Sequence, residues 1–246
     1  MRQSLVISAR AMDAFTQRMS VTSNNLANIN TVGFKRDQTL ISSFQSKLSR
    51  NINAMNDPDI PGEVRSVTDF SSGNFRFTND KLNMALEGEG FFKLQLENGE
   101  VAYTRKGTFK LDSSNKLITG ENQVVMGKNG PIILTDSDFT VSASGVVYDK
   151  SGSEINELDI VKFKKPYPLE KVGSSLFVNT NPAESEIASD AMVKQMYVEE
   201  SNVDELSAMI EMLNMLESMR QYESTQKVVQ LHDQATGQLL SQIGRV

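Results

Sequence analysis

Residues 1–30 read MRQSLVISARAMDAFTQRMSVTSNNLANIN, and the spacing of apolar residues in this stretch decides the fold. Leu5, Met12, Met19 and Leu26 recur every seven positions, and Ser8, Phe15, Thr22 and Ile29 each follow by three. The alternation of three and four sets one stripe along one face of a helix. Two of these eight positions are polar, and the others lack the Ile/Leu pairing of a tight coiled coil. Such a helix is marginal alone in water and needs a partner.

The other end of the chain supplies a candidate. Leu206, Met209, Leu213 and Leu216 step at helical spacing, Met212 and Met219 flank them, and Val228, Leu231, Ala235, Leu239 and Ile243 continue the pattern. Ser201 or Asn202 can cap this helix, and the acids that follow suit the positive end of its dipole. Its methionines, Met209, Met212, Met215 and Met219, make a face that adapts to different neighbours. Charge points the same way. Residues 1–50 hold seven basic side chains and two acidic ones, whereas residues 199–223 hold seven acidic ones against Arg220 alone. Opposite signs suit two helices that pair, within or between chains, and equally suit two solvated faces.

Between the helices the pattern changes. From Met84 to about Phe163 apolar and polar residues often alternate, as in Phe92/Leu94/Leu96, Phe109/Leu111 and Phe139/Val141. Asn98-Gly99, Asp112 to Asn115, Asn129-Gly130, Ser144-Gly145 and Ser151-Gly152 punctuate it as turns between short antiparallel strands. The sequence therefore predicts an α+β protein. Its N- and C-terminal helices form a discontinuous, coiled-coil-like domain into which an antiparallel β-rich domain is inserted. The expected boundaries are residues 1–35 for the first helix, 36–75 for an extended linker, 76–190 for the β-rich domain and 191–246 for the C-terminal helix. The predicted subunit contacts are Leu5, Met12, Phe15, Met19, Leu26 and Ile29 from the first helix. Leu206, Met209, Leu213, Leu216 and Leu231 supply them from the second.

Composition narrows the functions. The chain has no cysteine, which excludes disulfides, thiol nucleophiles and cysteine-bound metal. A net charge of -6 disfavours bulk nucleic-acid binding. The start, Met1 to Ser8, does not read as a cleavable signal peptide, because its apolar stretch is short and runs into the amphipathic pattern. His232 is the only histidine, with no partner constellation for acid–base work around it in sequence. Glu87 to Gly90 and Gly127 to Gly130 lack the spacing of a phosphate loop and read as β-turns. Asp57, Asp59 and Glu63 lack calcium-loop spacing and sit among prolines. No catalytic, metal or cofactor site is expected. An assembly subunit is favoured over a secreted β-domain that binds or cleaves something, because the latter has no use for two amphipathic ends.

The stretch from Asn24 to Arg36, NNLANINTVGFKR, closely resembles the N-terminal signature of the flagellar rod and hook proteins. Its matching residues are Asn25, Leu26, Ala27, Asn28, Thr31, Gly33, Phe34 and Lys35. Physically, the asparagines favour turns that end a helix, Gly33 permits a conformation costly to other residues, and Phe34 can pack back on the helix. Three more stretches resemble the same family in its order: Ser72 to Asn79 leading into Leu82 to Phe92, then Tyr103 to Phe109, then Glu199-Glu200-Ser201-Asn202-Val203 with Met219 to Glu223. Asn83 and Met219-Arg220 depart from the family's usual residues.

The resemblance implies a structural, non-enzymatic subunit of the flagellar basal-body rod. Subunits would stack into a tube, with paired end helices lining its inner wall and β-domains outside. It also implies a periplasmic location, export by the flagellar type III apparatus, and partners that are copies of itself and other rod proteins. The rod would transmit torque and conduct exported subunits. The short linker after Phe34 and the tail from Gln230 to Leu240 look closer to the proximal-rod branch, with the distal-rod branch as the alternative.

Overall fold

The computed structural model describes residues 2–41, 64–134, 138–181 and 185–243. The chain divides into two units, one made of Met1–Ala27, Asp37–Asp69 and Glu205–Val246, the other of Asn28–Arg36 and Phe70–Asp204. The fold is α+β, with helices at both ends of a β-rich middle.

The first unit contains helix α1, Arg2–Ala27, and helix α2, Glu205–Ile243, which pack against each other. A hairpin joins them: Asp37–Ile41 pairs antiparallel with Val64–Thr68, in a register that sets Asp37 opposite Thr68 and Ile41 opposite Val64. Both strands fall within the segment expected as linker, while residues 42–63, including Asp57, Asp59 and Glu63, lie outside the described residues. Cross-strand partners share a face of the ribbon. Gln38, Leu40, Arg65 and Val67 therefore lie together, and all four are exposed.

Helix α2 begins at the first stripe residues, later than the expected boundary at residue 191. Met192–Gln195 and Tyr197–Glu199 are strands, and the helix starts at Glu205. Ser201 and Asn202, expected as caps, stand too far upstream for that role. The Ser201 hydroxyl accepts from Val203 N at 3.2 Å, and the Asn202 side chain is engaged elsewhere.

The second unit is built on an antiparallel sheet. Its order is Leu169–Val172, Leu176–Asn179, Val101–Thr104, Phe91–Gln95, Val124–Gly127, Leu117–Thr119 and Phe109–Leu111, with Ile160–Lys162 also pairing on Phe91–Gln95. Alternation along Phe91–Gln95 feeds two cores. Phe92 and Leu94 point into the larger, with Met84, Phe109, Leu117, Ile132 and Phe139. Phe91 points the other way, into an aromatic cluster with Tyr103, Phe163 and Phe177, against which Phe70 and Tyr167 pack. The Phe70 and Phe91 rings meet edge-on with centroids 5.6 Å apart.

The strand–turn pattern is used twice at one constant offset. Phe109–Leu111, Leu117–Thr119 and Val124–Gly127 correspond to Phe139–Val141, Val146–Asp149 and Glu154–Glu157. Buried Phe109 matches buried Phe139, and Leu117 matches Val147. The left-handed turn residues match too: Asn115 (φ 59°) with Gly145 (φ 88°), and Asn122 (φ 66°) with Gly152 (φ 79°). Asparagine and glycine tolerate this conformation best, so both copies turn at the same places.

Candidate subunit interface and a buried charge cluster

Helix α2 turns its polar and small residues inward. Ala208 and Ser218 are buried, and Glu211 between them accepts a hydrogen bond from buried Thr22 of α1 at 3.1 Å. Thr22 and Glu211 also line a polar cleft of about 360 Å³ with Arg18, Asp37, Gln38 and Asn214. The apolar stripe is left outside. Leu206 is 68% exposed, Met209 60%, Leu213 65%, Leu216 53% and Leu231 64%, flanked by exposed Ile210, Met212, Met219 and Val228. On α1 the corresponding stripe is partly covered: Met12, Phe15, Met19 and Leu26 are half-buried, as is Ile29 just beyond the helix. The side chain of Leu5 lies outside the described residues. His232 is partly exposed on α2.

A contiguous exposed apolar face of this kind is unusual for a monomer. In chemical terms it offers area and shape rather than reactive groups. Methionine within it fits neighbours of differing contour.

The signature residues of the first segment go mainly into anchoring. The buried Asn25 amide donates to Asp37 O at 2.8 Å and accepts from Asp37 N at 2.9 Å, as a backbone neighbour would. Leu26 is half-buried and Ala27 exposed at the end of α1. Asn28 opens a turn in which its carbonyl accepts from Thr31 N at 3.0 Å and its side chain from the Thr31 hydroxyl at 3.1 Å. Gly33 sits at φ 70°, where a Cβ would stand 2.4 Å from Lys106 N. Phe34 is fully buried in the β-rich unit, with the Lys171 ammonium 3.9 Å over its ring.

Lys35 and Glu199 are both completely buried and form an ion pair at 2.5 Å. Lys35 Nζ also donates to Ser71 O at 2.7 Å. The second oxygen of Glu199 takes Arg105 Nη1 at 3.2 Å, and Gly73 N donates to the first at 3.1 Å. Arg105 further donates to the carbonyls of Leu86, at 3.0 Å, and Gly88, at 2.5 Å. Burial pushes the Arg105 guanidinium below its ordinary pKa, against which Glu199 acts. Around this core Gly33 N donates to Glu199 O at 2.8 Å, Arg36 N to Asn202 Oδ1 at 2.7 Å, and Asn202 N to Phe34 O at 3.3 Å. Val203 is buried beside them.

Signature stretches far apart in sequence, those that hold Lys35, Gly73, Arg105 and Glu199, therefore meet at one cluster. Glu199 reads in sequence as one of the acids leading into the C-terminal helix, and its pairing with Lys35 realises part of the opposite charge of the two ends. That pairing occurs in the β-rich unit rather than along the helices. Glu199, Arg105, Ser71 and Gly73 are missing from the expected site residues. Arg105 and Gly73 lie in the Tyr103 to Phe109 and Ser72 to Asn79 stretches, and Ser71 just precedes the latter, but nothing in one sequence says that these stretches touch.

Comparison with known proteins finds matches in the N-terminal segment and in the β-rich middle. The profile of the "Flagella basal body rod protein" family matches residues 5–35, and that of the "Flagellar hook protein FlgE/F/G D1 domain" matches residues 85–149. The flagellar basal-body rod protein FlgG of Buchnera aphidicola subsp. Schizaphis graminum is 31% identical over 98% of this chain and 99% of its own. FlgG of Caulobacter vibrioides is 31% identical over 97% of this chain and 100% of its own. The flagellar basal-body rod protein FlgF of the same organism is 26% identical over 94% and 93%.

Proposed function

The chain belongs to the flagellar basal-body rod protein family, a structural and non-enzymatic family, and on that premise we propose that it is a distal-rod subunit of the FlgG type. Rod proteins assemble into the basal body with other rod components, which sets the general role. The finer assignment is supported by FlgG relatives at 31% identity over nearly the whole chain, against 26% for the FlgF relative. The tail from Gln230 to Leu240 and the short linker favour the proximal branch instead, and they carry less of the sequence.

The observation that carries the mechanism is the exposed apolar face of α2. On this reading Leu206, Met209, Leu213, Leu216 and Leu231 are covered in the rod by neighbouring copies and by other rod proteins. The half-buried stripe Met12, Phe15, Met19, Leu26 and Ile29, with Leu5, completes the contact. Helices packed this way form a coiled-coil-like inner wall, through which exported subunits pass and along which torque is transmitted. On this reading the subunit reaches the periplasmic rod through the flagellar export apparatus.

Complementation separates the branches. Expressed in a strain lacking its distal-rod protein, this chain should restore complete rods and swimming, and it should fail in a strain lacking only the proximal one. The opposite pattern would assign it to the proximal rod.

A further inference from the structure

The chain passes between its two units four times, after Ala27, Arg36, Asp69 and Asp204. On the β-rich side, each passage lies within a few residues of the buried charge cluster. Gly33, Phe34, Lys35 and Arg36 serve the first two, Ser71 and Gly73 the third, and Glu199 and Asn202 the fourth. Glu199 is the hub of this arrangement. Its carboxylate receives Lys35, Arg105 and Gly73, and its carbonyl receives Gly33. Asn202 closes the ring, binding Arg36 N and Phe34 O and donating its amide to Ser71 O at 3.3 Å and Ser71 Oγ at 3.2 Å.

We infer that this cluster is a clasp and Glu199 a positioning residue for assembly: it fixes the points at which the two end helices and the hairpin leave the β-rich unit. The inference rests on the rod reading of this chain. The charges give the clasp its all-or-none character. Two cations share one carboxylate, with the three side chains 0%, 4% and 0% exposed for Lys35, Arg105 and Glu199. A buried pair that loses one partner leaves an uncompensated charge, so half-made states are costly. Arg105 is hard to satisfy by other means, because its Nε already has no hydrogen-bond partner among the described residues.

The charge count predicts an order of effects that packing alone does not. Glu199→Gln leaves two cations facing a neutral amide. Lys35→Met leaves Arg105 and Glu199 as a balanced pair. The double variant retains one unbalanced cation rather than two, and so relieves part of the Glu199→Gln defect.

Hydrogen exchange on the purified full-length chain reads this directly. Glu199→Gln should speed exchange in residues 33–36, 71–73 and 199–203 by about a hundredfold, while the strands at 91–95 and 101–104 change less than about threefold. Lys35→Met should loosen the same segments less, and adding it to Glu199→Gln should recover about tenfold. Incorporation into purified rods, at matched protein levels, should follow the same order. Unchanged protection of residues 33–36 in Glu199→Gln overturns the clasp. So does parallel loosening of the central strands, or a double variant no better than the single one. If the exchange order holds but Glu199→Gln rods form normally, the clasp has no part in assembly while the family assignment stands. Absence of the unaltered chain from rods instead sinks the rod reading, and with it the assembly role of Glu199.

Discussion

Replacing Leu213 by Asp tests whether the outer face of α2 is an interface or merely an exposed surface. Leu213 is 65% exposed, so two-thirds of its side chain is still available for burial by a neighbour. Full burial of a leucine side chain is worth about 1.5–3 kcal/mol, which leaves about 1–2 kcal/mol for the subunit contact. A carboxylate at the same place must shed its water without a partner, at a further cost of several kcal/mol. A total near 4 kcal/mol lowers the association constant by about a thousandfold. The isolated chain should hardly notice, since exposed substitutions change stability by under about 0.5 kcal/mol. Ala208→Asp is the matching control on the inner face of the same helix, where the residue is 5% exposed. It should lower the melting temperature of the chain itself. Thermal unfolding of both purified variants, with rod incorporation measured in cells at matched levels, completes the assay. If Leu213→Asp melts as early as Ala208→Asp, or if its rods assemble normally, the outer face is not the contact we describe.

Gly33→Ala should loosen the signature loop, because an alanine at φ 70° is strained by about 1–2 kcal/mol and its methyl would press on the backbone of Arg105 and Lys106. Faster exchange of residues 28–36 checks this, and unchanged protection there would show that the loop can yield without cost. Tyr103 ties stability to alkaline pH. Burial, then its hydrogen bond to Glu186 at 2.6 Å, raises its pKa above the ordinary value. The folded state thus keeps the neutral phenol, and this contribution is intact below about pH 10, the ordinary phenol value, and is lost as pH rises through the folded-state pKa. The unaltered chain should therefore lose stability as pH rises above about 10, and Tyr103→Phe should flatten that slope in denaturant melts at pH 9 to 11 (about the tyrosine range).

Much of the architecture was legible because it is local. Heptad spacing announces a helix whatever it packs against, so both α1 and α2 follow from residues a turn or two apart. The turns at Asn98-Gly99, Asn115, Gly145 and Gly152 follow from the few residues that accept a left-handed backbone. Alternation of Phe92 and Leu94 was sufficient for one face of their strand. It was insufficient for Phe91, which serves the aromatic cluster on the other face, because alternation describes a strand covered on one side only.

What tertiary structure alone decided is which residues meet. Both helical stripes are apolar, and sequence cannot say which one the chain covers itself. Pairing through Ala208, Glu211 and Ser218 allows close approach of small and hydrogen-bonded side chains, and so leaves Leu206 to Leu231 outward. Glu199 reads in sequence as one acid among several before a helix, and Lys35 as one base among several after another. Their buried contact joins positions far apart along the chain, and no periodicity encodes it. Periodicity reports a residue's own face. The partner of a buried charge is set by the path of the intervening chain through the β-rich unit, which brings Ser71, Arg105 and Glu199 to the same point as Lys35.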